Sequence, residues 1–326
     1  MGWRRKAGIG CGAIVVLLAA AAGTIYYLKP WVPAIHVAEP GPTGRRVTES
    51  GLLANYYPGR GAGRRPAVLM LGGSEGGIGE SSRRNALALQ AEGFSVLNLS
   101  YYRAPGQPPD LDMIPLETFA TALAWLRRQS EVDPGRVGIV GGSKGAEAAL
   151  LVATRDPGIR AVVAGMPSSV AWQGFSWERS GEFGSSWSER GRPVDYLPFG
   201  GWQWTFDVSA IYSTALENLP RHPGAVIPIE RTAAPVLLLC GEADSLWPSC
   251  PMARQLERRA RERGRPAVTL LAYPDAGHAV FGQPWRESDP AYGRLDGLGG
   301  TDAGNNRARI HGWPRVVAFL KSALGS

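Results

Sequence analysis

The stretch Val140-Gly-Gly-Ser-Lys-Gly-Ala-Glu147 contains a Gly-x-Ser-x-Gly pentapeptide centred on Ser143. The residues before it, from Val137, are apolar and strand-like, and the residues after it, Ala146 to Ala153, read as a helix. In that context the pentapeptide indicates a nucleophile elbow, a tight turn that lifts a serine hydroxyl above a sheet. Because the chain has 43 glycines in 326 residues, the motif could also arise by chance, so the surrounding sequence has to support it.

Apolar strand-like runs alternate with helical patterns along most of the chain, which predicts an α/β class protein. The expected architecture is a mainly parallel sheet with helices on both faces, over residues 51–326. Strands are predicted at Leu52–Tyr57, Ala67–Leu71, Phe94–Leu99, Val137–Val140, Ala161–Ala164, Val236–Cys240 and Val268–Ala272. Helices are predicted at Ser81–Glu92, Pro115–Gln129, Ala146–Ala153, Pro251–Arg263 and about Trp313–Leu324.

One long segment, residues 166–231, lacks this alternation and is rich in aromatic residues. It is too long for a simple connection, so we expect a cap or lid over the site. An aromatic cap suits an apolar substrate, but for most of these rings a small core of the cap itself is the favoured interpretation. The candidate substrate-binding residues in it are Trp172, Trp177, Trp202 and Trp204.

The N-terminus begins with a basic run, Trp3 to Lys6, followed by 22 uncharged residues from Ala7 to Leu28. That length suits a single membrane-spanning helix, and its basic flank predicts that the following domain lies outside the cytoplasm. We therefore expect an anchor over residues 1–29 and a linker over residues 30–50. A cleaved signal peptide is the alternative, because Ala20 to Ala22 offers a small-residue cleavage site.

Cys240 and Cys250 flank a short predicted loop. Outside the cytoplasm they could form a disulfide, whereas two buried free thiols are the other reading of the same pair.

A serine nucleophile needs a histidine base and an acid, which follow it in this architecture in the order serine, acid, histidine. Only His278, of four histidines, lies in a turn-like run just after a late strand. Asp244 follows the preceding strand in the same manner, so we expect Ser143, Asp244 and His278 to form a triad. Glu242 and Asp275 are the competing acids.

An oxyanion hole needs two convergent backbone amides. The residue after the nucleophile, Lys144, supplies one. The loop Gly72-Gly-Ser-Glu-Gly-Gly77 follows an early strand and should supply the other, from Glu75 or, second, from Ser74. The side chains of Lys144 and Glu147, three residues apart, are expected to form a surface helix pair.

Composition excludes some function classes. The net charge of +7 is modest, and no aromatic residues alternate with the arginines of residues 254–265, which argues against a nucleic-acid partner. Cysteines are few and histidines are scattered, so we expect no metal, and no cofactor motif is present.

Taken together, three motifs resemble the C-terminal α/β-hydrolase domain of acyl-CoA thioesterases and bile acid-CoA:amino acid N-acyltransferases. They are Gly72–Gly77, Gly142-Ser-Lys-Gly-Ala-Glu147 and Gly241-Glu-Ala-Asp-Ser-Leu-Trp-Pro-Ser249, and the late Gly299-Gly-Thr-Asp-Ala-Gly-Asn-Asn306 also fits. Dienelactone hydrolases are similar more distantly. The resemblance implies the same roles for Ser143, Asp244 and His278. The conjugating members tend to carry a cysteine nucleophile, so the serine here resembles the hydrolytic branch.

The sequence therefore predicts a membrane-anchored serine acyl hydrolase of the acyl-CoA thioesterase type, acting on a small-molecule ester or thioester. The alternatives are transfer of the acyl group to an amine, hydrolysis of a lipid or other ester outside the cytoplasm, and a peptidase. A membrane-tethered binding protein on the same scaffold is the alternative that is not an enzyme.

Overall fold

The computed structural model describes residues 20, 23–24, 27–200 and 207–325. The chain divides into a small unit, Met1–Ala34 with Ser176–Gly181, and a large one, Ile35–Phe175 with Glu182–Ser326. Within the small unit, the Lys29 ammonium donates a hydrogen bond to the backbone carbonyl of Glu178 at 2.8 Å.

The predicted membrane anchor at Ala7–Leu28 falls mostly outside the described residues. Among the residues that are described, no helix combines the length and the apolar character that crossing a bilayer requires.

The large unit contains all eleven strands of the described chain. They are β1 (Arg45–Val47), β2 (Leu53–Tyr57), β3 (Arg65–Leu71), β4 (Ser95–Ser100), β5 (Ile114–Pro115), β6 (Val132–Gly142), β7 (Ile159–Gly165), β8 (Trp187–Glu189), β9 (Arg192–Pro193), β10 (Val236–Gly241) and β11 (Val268–Tyr273). Eight of them form one sheet in the order β1-β2-β4-β3-β6-β7-β10-β11. The pairings of β2 with β1 and β4 are antiparallel and the other five are parallel, which confirms the predicted mainly parallel sheet.

Six α-helices lie in the described part of the chain. They are α1 (Glu80–Ala91), α2 (Leu116–Arg127), α3 (Lys144–Ala153), α4 (Val208–Glu217), α5 (Ser249–Glu262) and α6 (Asp302–Leu324). Buried residues of α2, α3 and α5 share one core with one face of the sheet, and those of α1 and α6 share another with the opposite face. The central strands read as continuous apolar runs because both of their faces are covered in this way.

Two segment boundaries differ from the sequence-based expectation. The predicted linker, residues 30–50, contains strand β1, which pairs with β2 and adds an antiparallel edge to the sheet. The last helix begins at Asp302 rather than near Trp313, because the Thr301 side chain caps it by accepting the Gly304 amide proton at 2.9 Å. Pro314 lies inside that helix, although a proline usually favours a helix start.

The segment predicted as a cap has its own small structure. Its strands β8 and β9 form a second sheet with β5, which lies earlier in the chain, and α4 follows them. Several aromatic side chains of this segment form a separate hydrophobic cluster around the fully buried Trp172.

Candidate active site

Ser143 lies at the junction of β6 and α3, where the backbone makes a sharp turn. It has φ 55° and ψ −124°, a conformation that a residue with a side chain adopts only under strain. The turn requires glycines on both sides, since a Cβ on Gly141 would lie 2.1 Å from the Gly145 carbonyl oxygen. A Cβ on Gly145 would in turn lie 2.3 Å from the Gly72 carbonyl oxygen. The pentapeptide therefore forms the strand–turn–helix that its pattern predicted.

The structure brings the three residues of the predicted triad together. His278 Nε2 lies 2.9 Å from Ser143 Oγ, and His278 Nδ1 lies 2.9 Å from Asp244 Oδ2. The second carboxylate oxygen of Asp244 accepts the backbone amides of Leu246 and Trp247 at 3.0 and 3.3 Å. All three functional side chains are buried, so the hydrogen bonds between them form away from bulk water, where they are stronger.

A disulfide bond joins Cys240, the penultimate residue of β10, to Cys250 in the first turn of α5. It closes the loop that carries Asp244 and Trp247. The edge of the Trp247 ring packs against the imidazole of His278, with ring centroids 5.7 Å apart. The loop thus supplies a hydrogen bond to the base and a packing surface for it.

Asn305, the fourth residue of α6, organises the loops around the histidine. Its side-chain oxygen accepts the Gly277 amide at 2.9 Å, directly before His278. Its side-chain nitrogen donates to three carbonyls at 3.0 Å, those of Leu295, Gly299 and Thr301. Asn305 is fully buried, and sequence reasoning gave it no role. The available signal was the late Gly-Gly-Thr-Asp-Ala-Gly-Asn-Asn run.

The two glycines of that run connect the acid loop with the base loop. Gly299 forms a β-bridge with Asp244, and Gly300 forms one with Ala276. Both have positive φ, 94° and 71°, and a Cβ on Gly299 would lie 2.0 Å from the Ala243 carbonyl oxygen. Only glycine fits this close approach between the backbones.

Three consecutive side chains donate hydrogen bonds to the backbone carbonyls of the predicted oxyanion loop, Gly72–Gly77. The Tyr101 hydroxyl donates to the carbonyls of Gly72 and Gly73 at 2.9 and 3.2 Å, and Tyr102 donates to the Ser74 carbonyl. Arg103 donates to the Glu75 carbonyl at 2.9 Å.

The loop lies close to the nucleophile at Gly73, where a Cβ would lie 3.4 Å from Ser143 Cβ. The assignment of the second oxyanion donor to the amide of Glu75 or Ser74 stays a prediction.

The expectation of a surface pair at Lys144 and Glu147 was wrong. Lys144 Nζ lies 2.6 Å from Glu147 Oε2, but the two side chains are only 3% and 0% exposed. Helix α3 is buried on all sides, between the sheet and the cap segment, so it has no solvent-facing side. Burial lowers the pKa of the Lys144 ammonium and raises that of the Glu147 carboxyl, while the opposite charge of each partner opposes the shift.

The candidate substrate-binding tryptophans fall in different places. Trp172 is fully buried in the core of the cap, where it packs against Phe199 and Tyr212, so it acts there as a core residue. Trp177 is half-buried and belongs to the small unit. Trp202 and Trp204 lie outside the described residues.

The competing acids, Glu242 and Asp275, each pair with an arginine instead of the histidine. Glu242 accepts from Arg254, and Asp275 accepts from Arg307 at 3.2 Å on the protein surface.

Comparison with known proteins places this site in a family. Residues 114–326 match the family described as BAAT / Acyl-CoA thioester hydrolase C terminal. The chain belongs to this family. That match includes Ser143, Asp244 and His278, and it confirms the resemblance that the sequence motifs indicated. The chain is therefore an enzyme of the hydrolase class.

Among its relatives, the mouse protein named acyl-coenzyme A thioesterase 6 is 27% identical over 300 residues, which cover 89% of this chain and 67% of the relative. The human mitochondrial acyl-coenzyme A thioesterase 2 is 27% identical over 264 residues, covering 80% of this chain and 53% of the relative.

Solved structures agree with the fold of this family member. A putative dienelactone hydrolase from Klebsiella pneumoniae superposes with a TM-score of 0.55 at 19% identity, over 85% of this chain and 96% of that one. A puromycin-hydrolyzing peptidase from Mycobacterium tuberculosis superposes with a TM-score of 0.57 at 17% identity, over 87% of this chain and 39% of that one. Likeness at this identity establishes the α/β-hydrolase fold alone.

Proposed function

We propose that the chain hydrolyses a thioester or ester through an acyl-enzyme on Ser143. His278 Nε2 accepts the hydroxyl proton as Ser143 Oγ attacks the carbonyl carbon, and it then donates that proton to the departing thiolate or alkoxide. Asp244 holds the imidazole in the required tautomer and stabilises its positive charge. Water activated by His278 then attacks the acyl-enzyme, which releases the acid and restores the serine.

The observation that carries this proposal is the continuous hydrogen-bond chain from Ser143 Oγ through His278 to Asp244, with 2.9 Å at each contact of the imidazole. A nucleophile, a base within hydrogen-bond reach and a third group that orients the base are the parts that acyl transfer needs. The Lys144 amide, at the N-terminus of α3, and an amide of the Gly72–Gly77 loop would bind the developing oxyanion.

For the substrate, the named acyl-coenzyme A thioesterases among the relatives favour an acyl-CoA. Transfer of the acyl group to an amine remains the alternative outcome of the same acyl-enzyme. A serine rather than a cysteine at position 143 favours hydrolysis.

A second candidate is hydrolysis of a lipid or other ester outside the cytoplasm. The Cys240–Cys250 disulfide supports it, because such bonds persist mainly in oxidising compartments. We propose with it that the apolar segment Ala7–Leu28 anchors the enzyme in a membrane. Protease treatment of intact cells tests this arrangement: digestion of the domain on intact cells is expected, and protection until lysis would place it inside.

The function is tested with a panel of acyl-CoA, p-nitrophenyl ester and lipid substrates, with and without an amine acceptor. Wild-type enzyme is compared with Ser143→Ala, and a fluorophosphonate probe reports the reactive serine. We expect hydrolysis and labelling by the wild type and neither by the variant. Activity that survives in Ser143→Ala would refute the acyl-enzyme, and absence of labelling in the wild type would favour a binding protein.

A further inference from the structure

The most unusual feature outside the triad is the buried ion pair directly after the nucleophile. Lys144 and Glu147 are the first and fourth residues of α3, and both side chains are shielded from water. A buried ion pair contributes little to stability, because desolvation of both charges offsets their attraction. Its position beside the reacting serine therefore points to another role.

The pair connects α3 to two parts of the cap segment. Lys144 Nζ donates to the Ser186 hydroxyl at 2.8 Å. Glu147 Oε1 accepts two hydrogen bonds, one from the Trp172 backbone amide at 2.9 Å and one from Trp187 Nε1 at 2.6 Å. Every one of these groups is buried, so no water competes for the hydrogen bonds.

Trp187 carries the connection on to the oxyanion loop. Its ring packs against Tyr101, with centroids 5.9 Å apart, and the Tyr101 hydroxyl donates to the carbonyls of Gly72 and Gly73. Burial holds the pKa of Tyr101 well above its usual value, so the hydroxyl keeps its proton and remains a donor. Glu147 thus reaches the Gly72–Gly77 loop through two aromatic side chains.

We propose that Lys144 and Glu147 are positioning residues that fix the oxyanion hole. The contacts of the Lys144 side chain fix the position of this residue, and its backbone amide is one of the two proposed oxyanion donors. Glu147 holds Trp187, and through it Tyr101, which sets the loop that supplies the other donor. The inference rests on the proposed acyl-enzyme function, since an oxyanion forms only in that chemistry.

The deciding variant is Lys144→Met/Glu147→Leu, which replaces the pair with apolar side chains of similar length. Replacement of a buried pair is often neutral in itself, but this variant also leaves the buried Trp172 amide and Trp187 indole without an acceptor. At about 1–3 kcal/mol for each donor, we expect a folded protein with a Tm about 5–15 °C below wild type. Hydrolysis of p-nitrophenyl acetate should show kcat lowered about 100-fold, because misplaced oxyanion donors act on the transition state. KM for this small ester should change less than about threefold, since ground-state binding does not use the oxyanion.

A conservative variant separates the hydrogen bonds from the charge. Lys144→Met/Glu147→Gln keeps an acceptor oxygen for the Trp172 amide and the Trp187 indole, so it should recover at least about tenfold of the lost kcat. As a matched control, the exposed pair of Lys321 and Glu92 is replaced in the same way, by Met and Gln, and kcat should not change.

A kcat of Lys144→Met/Glu147→Leu within about threefold of wild type would overturn the proposal, as would equal losses in the Leu and Gln variants. If the Leu variant does not fold, Trp187→Phe decides, because it removes the indole donor while keeping an aromatic ring beside Tyr101. We then expect a lower kcat at unchanged KM, and an unchanged kcat overturns the proposal. Ser143→Ala in the same assay distinguishes failure of this inference from failure of the proposed function. Activity in that variant would refute the acyl-enzyme on Ser143 itself, whatever the Lys144 and Glu147 variants show.

Discussion

Removal of the Cys240–Cys250 disulfide should destabilise the fold by a predictable amount. The bond joins residues ten positions apart, and the chain-entropy relation gives about 2.7 kcal/mol at 25 °C for a loop of that length. Both cysteines are fully buried. In Cys240→Ala/Cys250→Ala the two missing sulfur atoms add a cavity cost, so we expect a total loss of about 3–4 kcal/mol.

Urea unfolding of the oxidised wild type, the reduced wild type and the double variant measures this loss. A Cys11→Ser background leaves only the two relevant cysteines for alkylation, which mass spectrometry counts before and after reduction. Two alkylatable thiols in the folded, unreduced protein would refute the bond. A double variant as stable as the oxidised wild type would refute the entropic reasoning.

The same variant should lose little activity. Asp244 lies within the disulfide-closed loop, but the Leu246 and Trp247 amides and the backbone bridge to Gly299 also hold it. We therefore expect kcat to fall less than about tenfold, with a larger fall showing that the disulfide itself aligns the acid.

Three further changes have defined outcomes. Gly145→Ala places a Cβ 2.3 Å from the Gly72 carbonyl oxygen. We expect urea unfolding to show a free energy of unfolding lower by about 1–3 kcal/mol, together with a reduced kcat. As a control, Gly293→Ala introduces a Cβ that meets nothing within 4 Å, so it should show neither effect. Asn305→Asp replaces a donor to three carbonyls with a carboxylate, and unfolding should become easier by about 3 kcal/mol, with equal stability contradicting the assigned contacts. A hydrogen bond from its paired arginine lowers the pKa of Glu230, so its stabilisation is present above the unfolded pKa of about 4.3 and is lost as pH falls through the lower folded pKa. Wild type should therefore exceed Glu230→Gln in stability at pH 7 and converge with it in acid; a constant difference across that range would contradict this.

Much of the fold was predictable because the main sheet has both faces covered. Strands β3, β4, β6, β7 and β10 each contain a mostly apolar run that the sequence shows, and the helices between them have clear ends. The elbow was predictable for a related reason, since its glycines are required by backbone approaches of 2.1 and 2.3 Å. The sequence pattern therefore predicts those features that depend on steric contacts or burial among residues close together in the chain.

Local sequence patterns did not predict the features that depend on contacts between distant segments. A lysine and a glutamate three apart normally indicate an exposed helix face, and nothing near α3 signals that a cap segment 25 to 42 residues later covers them. Strand β1 was missed because an antiparallel edge strand of three residues has too short a pattern to detect. The early start of α6 was missed because proline is common in the first turn of a helix, so Pro314 suggests a helix that begins near Trp313.

The candidate site is assembled from parts that differ in how they are held. The acid and base loops are joined backbone to backbone through Gly299 and Gly300 and are fastened to α6 by Asn305, so their spacing follows from main-chain geometry. The oxyanion loop has one backbone hydrogen bond of this kind, from the Gly77 amide to the Tyr102 carbonyl at 3.0 Å. Its residues nearer the nucleophile are held by side chains, in a path that ends at the buried pair on α3. Substitutions along that side-chain path should therefore alter catalysis more readily than they alter the fold. The kcat of the Lys144 and Glu147 variants, measured beside their Tm, tests that difference directly.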